Sequence, residues 1–335
     1  MATATAGLGT MTLGGALNAG LRRAMTDDDR VMVMGEDVGV LGGVFRVTDG
    51  VATEFGAQRV IDTPLAESSI VGAAIGLAMR GYRPVCEIQF DGFVYPAFDQ
   101  IVSQLAKMRA RTRGAVPLPI VIRIPSGGGI GAVEHHSESN EAYFAHTAGL
   151  RVVSCSSPDD AYHMIQQAIA SDDPVIFHEP KRRYWEKGGV SERPSRGLHD
   201  AALVRAGDDC TLVAHGPSVG TALSAALAAE EDGFSVGVID LRSISPLDLD
   251  LLRHEAARTG RMVVVHEAQV SFGIGAEIAA AVTEGCFDVL RAPVLRVGAD
   301  DLPYPPAKLE DQFLPDVDRV LDAVDRSLTW NRGVA

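Results

Sequence analysis

Apolar positions recur along this chain with two alternating periods. Over 13–25, Leu13, Ala16, Leu17, Gly20 and Leu21 fall on one face of a helix, whereas the unbroken apolar run at 31–34 reads as a buried strand. The alternation then continues as strand 59–61, helix 69–80, strand 84–89, helix 97–111 and strand 119–124. Strand 151–154, helix 158–170 and strand 174–178 follow. Strands that take turns with helices predict an α/β, doubly wound domain over 13–182. The glycine-punctuated segment 42–50 carries Phe45 and Arg46 and reads as a loop over a site.

Residues 183–205 are charged, rich in glycine and proline and without clear period, so they read as a linker. A smaller α/β unit is expected over 206–335: strands 211–214 and 234–241 around the alanine-rich helix 219–229, then strand 261–265, helix 275–284 and strand 293–297. Ser245-Pro246 has the residues of a helix start, with serine as cap and proline at the first helical position. Residues 1–12 are small and polar and are expected to form a flexible N-terminus.

Composition narrows the function classes. The 30 basic and 44 acidic residues give a net charge of −14, which argues against unaided binding to nucleic acid or to an anionic membrane. No apolar run reaches the roughly 18 residues that span a bilayer, and residues 1–11 lack the basic and apolar regions of a secretory signal. Cys86, Cys155, Cys210 and Cys286 are widely spaced, which gives no support to a zinc site or disulfide framework and suits a reducing cytoplasm.

Candidate chemistry gathers where strands empty into loops. Glu67 follows Ile61, Pro64, Leu65 and Ala66 and precedes a helical run with Ile70, Ala73, Ala74, Leu77 and Ala78. Two readings stand: a first-turn acid favoured by the helix dipole, beside a Ser68 or Ser69 cap, or a functional carboxylate at the ligand-binding end of a parallel sheet. Glu36 and Asp37 also lie just past a strand, and Glu36 reads either as a solvated strand-end acid or as a second site acid. The cluster Ser126-Gly-Gly-Gly-Ile-Gly131 lacks the spacing of a phosphate-binding P-loop. His135 and His136 stand on the polar loop that follows; on a strand two neighbours would point opposite ways, so one of them is expected to reach a site. Lys107, Arg109, Arg111 and Arg113 form a basic cluster that reads as a solvated face or an interface.

The ordered phrases Gly35-Glu-Asp-Val38, Gly42-Gly-Val-Phe-Arg-Val-Thr48, Asp62-Thr-Pro-Leu-Ala-Glu67, Glu87-Ile-Gln-Phe90, Pro96-Ala-Phe-Asp-Gln-Ile101, His135-His-Ser137 and Glu179-Pro-Lys181 carry a resemblance. It extends through Val238-Ile-Asp-Leu-Arg242, Gly275-Ala-Glu-Ile278 and Pro303-Tyr-Pro-Pro306. In that order they resemble the beta subunit of the thiamin-diphosphate-dependent decarboxylating component of 2-oxo acid dehydrogenase complexes, nearest the branched-chain group.

The resemblance implies an N-terminal thiamin-diphosphate pyrimidine-binding domain and a transketolase C-terminal-like domain. It assigns Glu67 to the pyrimidine ring nitrogen, where a hydrogen bond favours the imino tautomer, and places Glu36, Leu65, Gln89 and Phe93 around the cofactor. Position 93 is Phe where many branched-chain relatives have tyrosine, so a hydroxyl contact is absent there. His136 is implied as a proton donor or lipoyl positioner during reductive acylation, and Ile120, Ala168, Ile169 and Asp173 as the neighbourhood of a potassium ion, with Ser171 where relatives often carry Asp. The chain has no Gly-Asp-Gly followed by paired asparagines, so magnesium and the diphosphate would be held mainly by an alpha subunit in an α2β2 heterotetramer. A lipoyl acyltransferase is the further implied partner, docking on the C-terminal domain. Pyruvate as substrate, a noncatalytic assembly role and a stand-alone transketolase-like enzyme are the alternatives; the last needs the missing diphosphate motif.

Overall fold

The computed structural model describes residues 7–330. They form two compact units, one from the chain up to Ser126 and from Tyr143–Leu198, the other from Gly127–Ala142 and from His199 onward.

The first unit contains β1 (Gly7–Thr12), α1 (Leu13–Asp27), β2 (Val31–Gly35), α2 (Val51–Phe55), β3 (Val60–Asp62), α3 (Glu67–Met79) and β4 (Arg83–Glu87). It continues with α4 (Ala106–Arg111), β5 (Val121–Ser126), the short boundary helix α5 (Glu141–Ala145), β6 (Arg151–Ser154), α6 (Pro158–Ala170), β7 (Val175–Pro180) and β8 (Lys187–Ser191). Six strands lie parallel in the order β6-β7-β5-β4-β2-β3. The apolar run Val31–Met34 is buried throughout, as a strand covered on both faces must be. Helix α1 buries Leu13, Ala16, Leu17, Gly20, Leu21 and Met25, the face its periodicity predicts, and joins a core with α6. Each fully buried leucine there contributes about 1.5–3 kcal/mol.

Register fixes the position of the chemistry. Gly35 at the end of β2 pairs with Asp62 on β3 and with Glu87 on β4, so the segments after these three strands leave from one edge of the sheet.

The second unit has β9 (Ala202–Arg205), β10 (Cys210–Ala214), α7 (Ser218–Glu231), β11 (Val236–Asp240), β12 (Ser243–Ser245), α8 (Leu249–Thr259) and β13 (Met262–Gln269). It ends with α9 (Ile274–Cys286), β14 (Leu295–Ala299), α10 (Glu310–Phe313) and α11 (Val317–Leu328). Its five-stranded sheet runs β14-β13-β10-β11-β9, with β9 antiparallel at the edge. Alanines of α7 pack with Leu212 of β10 and with valines of β11 and β13 in a separate core.

Several boundaries differ from the sequence expectation. Helix α3 begins at Glu67, two residues early, because its N-cap is Ala66 without a side-chain hydrogen bond; neither Ser68 nor Ser69 caps it. The expected helix 97–111 opens instead as a 3-10 turn over Asp91–Ala97 and a π-helical stretch over Gln100–Leu105, since Pro96 supplies no N–H and its ring crowds the preceding turn. Ser245-Pro246 is a cis peptide ahead of α8, whose cap is Asp248 accepting from Leu251 N at 3.1 Å. The segment 183–205 holds β8 and β9, and β8 pairs antiparallel with β1, Thr12 opposite Lys187. Such short, glycine-containing strands carry too little period to register as strands in sequence. The expected flexible N-terminus is a strand from Gly7; residues 1–6 lie outside the described residues. No helix among the described residues is long and apolar enough to cross a membrane.

Candidate active site

At the shared edge of β2, β3 and β4 the first unit gathers four acids. Glu36 follows β2 directly, Asp37 takes a left-handed conformation at φ 59°, Asp62 ends β3 and Glu67 opens α3. A left-handed aspartate costs roughly 1 kcal/mol, and two contacts offset it. Gln89 Nε2 donates to Asp37 Oδ2 at 3.0 Å, and Gly43 N donates to the Asp37 carbonyl at 2.8 Å. The Asp62 carboxylate accepts from Gly39 N at 2.6 Å, tying the 36–43 loop to β3. Gly35 itself must be glycine: a Cβ there would stand 2.7 Å from the Glu87 carbonyl oxygen.

Glu36 and Glu67 are both buried, each 7% exposed, and no Arg, Lys or His among the described residues pairs with either. Burial first, then the neighbouring carboxylates of Glu67 and Asp37, raises the Glu36 carboxyl above its ordinary range. Its Oε1 is buried with no hydrogen-bond partner among the described residues. Glu67 stands in the first turn of α3, where the helix dipole favours negative charge. Two close carboxylates without a cation, one with an orphan oxygen, can share and pass a proton, and this donor set fits a heteroaromatic ring nitrogen.

Around the acids, Phe93 lies half-buried in the 3-10 turn, edge-on to Phe90 at 5.8 Å; Phe90 meets Phe45 at 5.4 Å and Phe45 meets Tyr184 at 5.0 Å. These rings form a contiguous aromatic cluster that includes Phe45 of the 42–50 segment. Leu65, just before α3, is 81% exposed and Val40 98% exposed, so both present bare apolar surface.

Beneath the loop lies a charge network that sequence reading missed. Arg123, wholly buried in β5, donates from Nε to Glu179 Oε1 at 2.6 Å and from Nη2 to Glu179 Oε2 at 2.9 Å, and also from Nη1 to Glu87. Tyr184 donates to Glu179, and Lys181 pairs with Asp91, both groups fully buried. Burial would lower the Arg123 pKa, but the carboxylates of Glu179 and Glu87 more than offset it and hold the guanidinium charged. Burial, only partly countered by Arg123, raises the Glu87 carboxyl. A usable signal was present: an arginine inside the apolar run Ile120-Val-Ile-Arg-Ile124 demands carboxylate partners, and parallel neighbours at strand ends are where to look.

His135 and His136 lie in a 3-10 turn, Glu134–His136, of the second unit. Their rings stand 4.4 Å apart rather than opposed, because the turn does not alternate as a strand would; His135 is exposed and His136 half-buried. The glycine cluster before them is spoken for. Gly128 N donates to Glu267 Oε2 at 3.1 Å, Gly129 N to Tyr304 Oη at 3.1 Å and Gly131 N to the Glu310 carboxylate at 3.2 Å, so these amides hold carboxylates and a phenol, not a phosphate.

The residues that the resemblance pairs with potassium have other partners in this structure. Arg83 Nη1 donates to the carbonyls of Ile169 at 2.9 Å and Ser171 at 3.1 Å, and Nη2 to Asp172 at 2.8 Å. The Asp173 carboxylate pairs with Arg109 and with Arg151 at 3.0 Å. The Ala168 and Ile120 carbonyls accept from Ser171 N and Val175 N. Guanidinium groups thus engage the Ile169 carbonyl and the Asp173 carboxylate, while the Ala168 and Ile120 carbonyls serve the backbone. Arg109 of the basic cluster is used here, and Lys107 donates to the Ala148 carbonyl at 3.0 Å. Among the described residues no three His, Cys, Asp or Glu side chains converge as metal ligands.

Comparison with known proteins follows the same division. Residues 9–186 match the transketolase pyrimidine binding domain and residues 199–320 the transketolase C-terminal domain. A pyruvate dehydrogenase E1 component subunit beta from Leifsonia xyli subsp. xyli is 61% identical over 317 residues, covering 94% of both chains. A 3-methyl-2-oxobutanoate dehydrogenase subunit beta from Mycobacterium tuberculosis is 56% identical over 321 residues, covering 95% of this chain and 92% of the relative. The fold is shared with a split-gene transketolase described as an inactive beta4 tetramer, at TM-score 0.75 and 22% identity over 96% of this chain and 99% of that one. The buried acid pair, the two matched domains and the full-length relatives converge: the chain belongs to the beta subunits of the thiamin-diphosphate-dependent decarboxylating component of 2-oxo acid dehydrogenases.

Proposed function

We propose that this chain works with an alpha subunit, as α2β2, in the oxidative decarboxylation of branched-chain 2-oxo acids and the transfer of the acyl group to a lipoyl acyltransferase. The observation that carries the reading is the buried Glu36 and Glu67 pair, which has no cation partner among the described residues and leaves a carboxylate oxygen unsatisfied. Glu67 would hold the pyrimidine ring nitrogen of thiamin diphosphate. Glu36, with its raised pKa, would keep a proton within the pair. Asp37, fixed by Gln89, orients the acidic turn, while Phe93 and Leu65 offer apolar contact to the pyrimidine. When bound, the cofactor supplies the electron sink for loss of carbon dioxide. His136 would deliver a proton to the lipoyl group during reductive acylation. The diphosphate and its magnesium belong to the alpha subunit in this reading, because this sequence carries no motif for them.

Branched acids are favoured by the phrases Gly42-Gly-Val-Phe-Arg46, Glu87-Ile-Gln-Phe90 and Pro96-Ala-Phe-Asp-Gln100, and by the mycobacterial relative. Pyruvate is the second reading, favoured by the Leifsonia relative. A reducing, cytoplasmic setting is part of the proposal; its support is that all four cysteines are buried, with burial pushing the Cys86 and Cys210 thiols up to about 12.

The test is co-expression with the candidate alpha subunit and measurement of thiamin-dependent decarboxylation of 4-methyl-2-oxopentanoate, 3-methyl-2-oxobutanoate and pyruvate. Preference for the branched acids is expected, and a pyruvate preference overturns the substrate assignment. In the same assembly Glu67→Gln should lower turnover about 10²–10⁴-fold, the range for a group that manages a proton in the reaction. Wild-type turnover in that variant would overturn the role of Glu67.

A further inference from the structure

The loop from Gly127 to Ser139, which carries His136, is held at several points within the second unit. Gly127 N donates to the Glu138 carbonyl at 3.0 Å and closes the base of the loop. Beyond that base, the amides of Gly128, Gly129 and Gly131 each donate to a different residue of one cluster: Glu267 at the end of β13, Tyr304, and Glu310 at the start of α10. Tyr304 in turn donates to Glu310 Oε2 at 2.6 Å and packs edge-on against Phe313 at 5.1 Å. Glu267 and Glu310 are buried, 5% and 8% exposed. A small cavity separates this cluster from Ser137, Glu138 and Ser139, so the far limb of the loop faces the same residues.

The fit leaves little freedom. A Cβ at Gly128 would stand 2.2 Å from Tyr304 Oη, so only glycine admits the phenol. Burial and the bond to Glu310 raise the Tyr304 phenol above its ordinary range, so it stays protonated and remains a donor. Charge-assisted amide bonds of this kind are among the stronger hydrogen bonds. The turn that presents His136 is closed by His136 N to the Val133 carbonyl and Ser137 N to the Glu134 carbonyl, both local. The first limb leads directly into this turn, and that limb is fixed by the cluster.

We propose that Glu267, Tyr304 and Glu310 are positioning residues that fix the loop bearing His136, so that they control acyl transfer to the lipoyl group more than decarboxylation; this rests on the role assigned to His136 above. The bond that defines them is the amide of a glycine donating to a side-chain oxygen, which no change of substrate alters.

The experiment uses the reconstituted assembly with its alpha subunit and the variants Tyr304→Phe, Glu310→Gln and His136→Ala. Turnover is measured with ferricyanide as electron acceptor and with a lipoyl domain, and the lipoyl-to-ferricyanide ratio is taken for each. Amide hydrogen exchange over 127–140 is followed in parallel. Exchange in Tyr304→Phe and Glu310→Gln should quicken at least tenfold over 127–131, and the ratio should fall at least tenfold, as it does in His136→Ala. The double variant Tyr304→Phe/His136→Ala should be no worse than His136→Ala alone. Unchanged exchange in both clamp variants overturns the clamp itself. Faster exchange with an unchanged ratio, while His136→Ala lowers it, overturns the positioning role and leaves the reading of His136 standing. An unchanged ratio in His136→Ala overturns that reading and the proposed control of acyl transfer with it. An equal fall in both rates would mark Tyr304 and Glu310 as general stabilisers and likewise overturn the proposal.

Discussion

Replacing Arg123 by methionine isolates what the buried network contributes. The guanidinium makes two bonds to Glu179 and one to Glu87, all groups at or below 5% exposure, so Arg123→Met removes the cation that both carboxylates meet among the described residues and fills the space with an apolar chain. Breaking a buried pair by deleting one partner costs about 3–5 kcal/mol. At about 2–4 °C per kcal/mol for a unit of this size, the thermal midpoint of the purified chain should fall by roughly 6–20 °C at pH 7–8. The sign with pH follows from Glu87. Its folded pKa is already raised by burial and Arg123 is what opposes the rise, so in the variant it climbs further above the unfolded value near 4.5. The folded variant then takes up protons as pH falls through that raised pKa, and the gap to wild type narrows toward pH 4.5. Thermal unfolding of both proteins from pH 8 to pH 5 measures this. A loss under about 3 °C at pH 7, or a gap that does not narrow in acid, would refute the reasoning.

Two further outcomes are expected. Glu36, whose folded pKa is raised above the ordinary carboxylate value, opposes folding while ionised, so Glu36→Gln should be more stable than wild type at pH 7–8 and lose that advantage as pH falls toward 4.5; equal melting at every pH would sink the claim that Glu36 is under strain from burial, Glu67 and Asp37. Exchanging potassium for choline at constant ionic strength should leave the thermal midpoint unmoved, because Arg83 already engages the Ile169 and Ser171 carbonyls, and Arg83→Ala should cost about 2–4 kcal/mol for two lost charged bonds; a potassium-specific gain in the wild-type chain would contradict it.

The fold was largely legible because its strands are continuous apolar runs and its helices carry apolar faces, as with the face of α1. What sequence could not supply was anything set by contact across distance in the chain. The 127–142 segment reads as part of the first half, yet it packs with the second unit because its glycine amides meet Glu267, Tyr304 and Glu310, 139 or more positions away. The potassium neighbourhood shows the same limit: nothing local to Ile169 or Asp173 announces that Arg83, Arg109 and Arg151 will engage their oxygens. Glu67 was legible as a strand-to-helix acid, but its partner was not distinguishable from a solvated acid until burial and the lack of a hydrogen-bond donor at Glu36 Oε1 were seen.

The first unit buries Glu36, Glu67, Glu87, Asp91 and Glu179, and these acids divide by whether a cation stands beside them. Glu87 and Glu179 have Arg123, and Asp91 has Lys181. Each of those carboxylates has a fixed cation beside it, although Glu87 and Glu179 share a single guanidinium, and burial still raises the Glu87 carboxyl. Glu36 and Glu67 have each other instead, and burial with the neighbouring carboxylates raises the Glu36 carboxyl. The same sheet edge thus separates two uses of buried acid by one physical variable, the presence of a fixed cation. An inserted cation should convert one use into the other: a lysine or arginine reaching Glu36 would favour its ionised form, counter the rise in its pKa and add stability at pH 7–8.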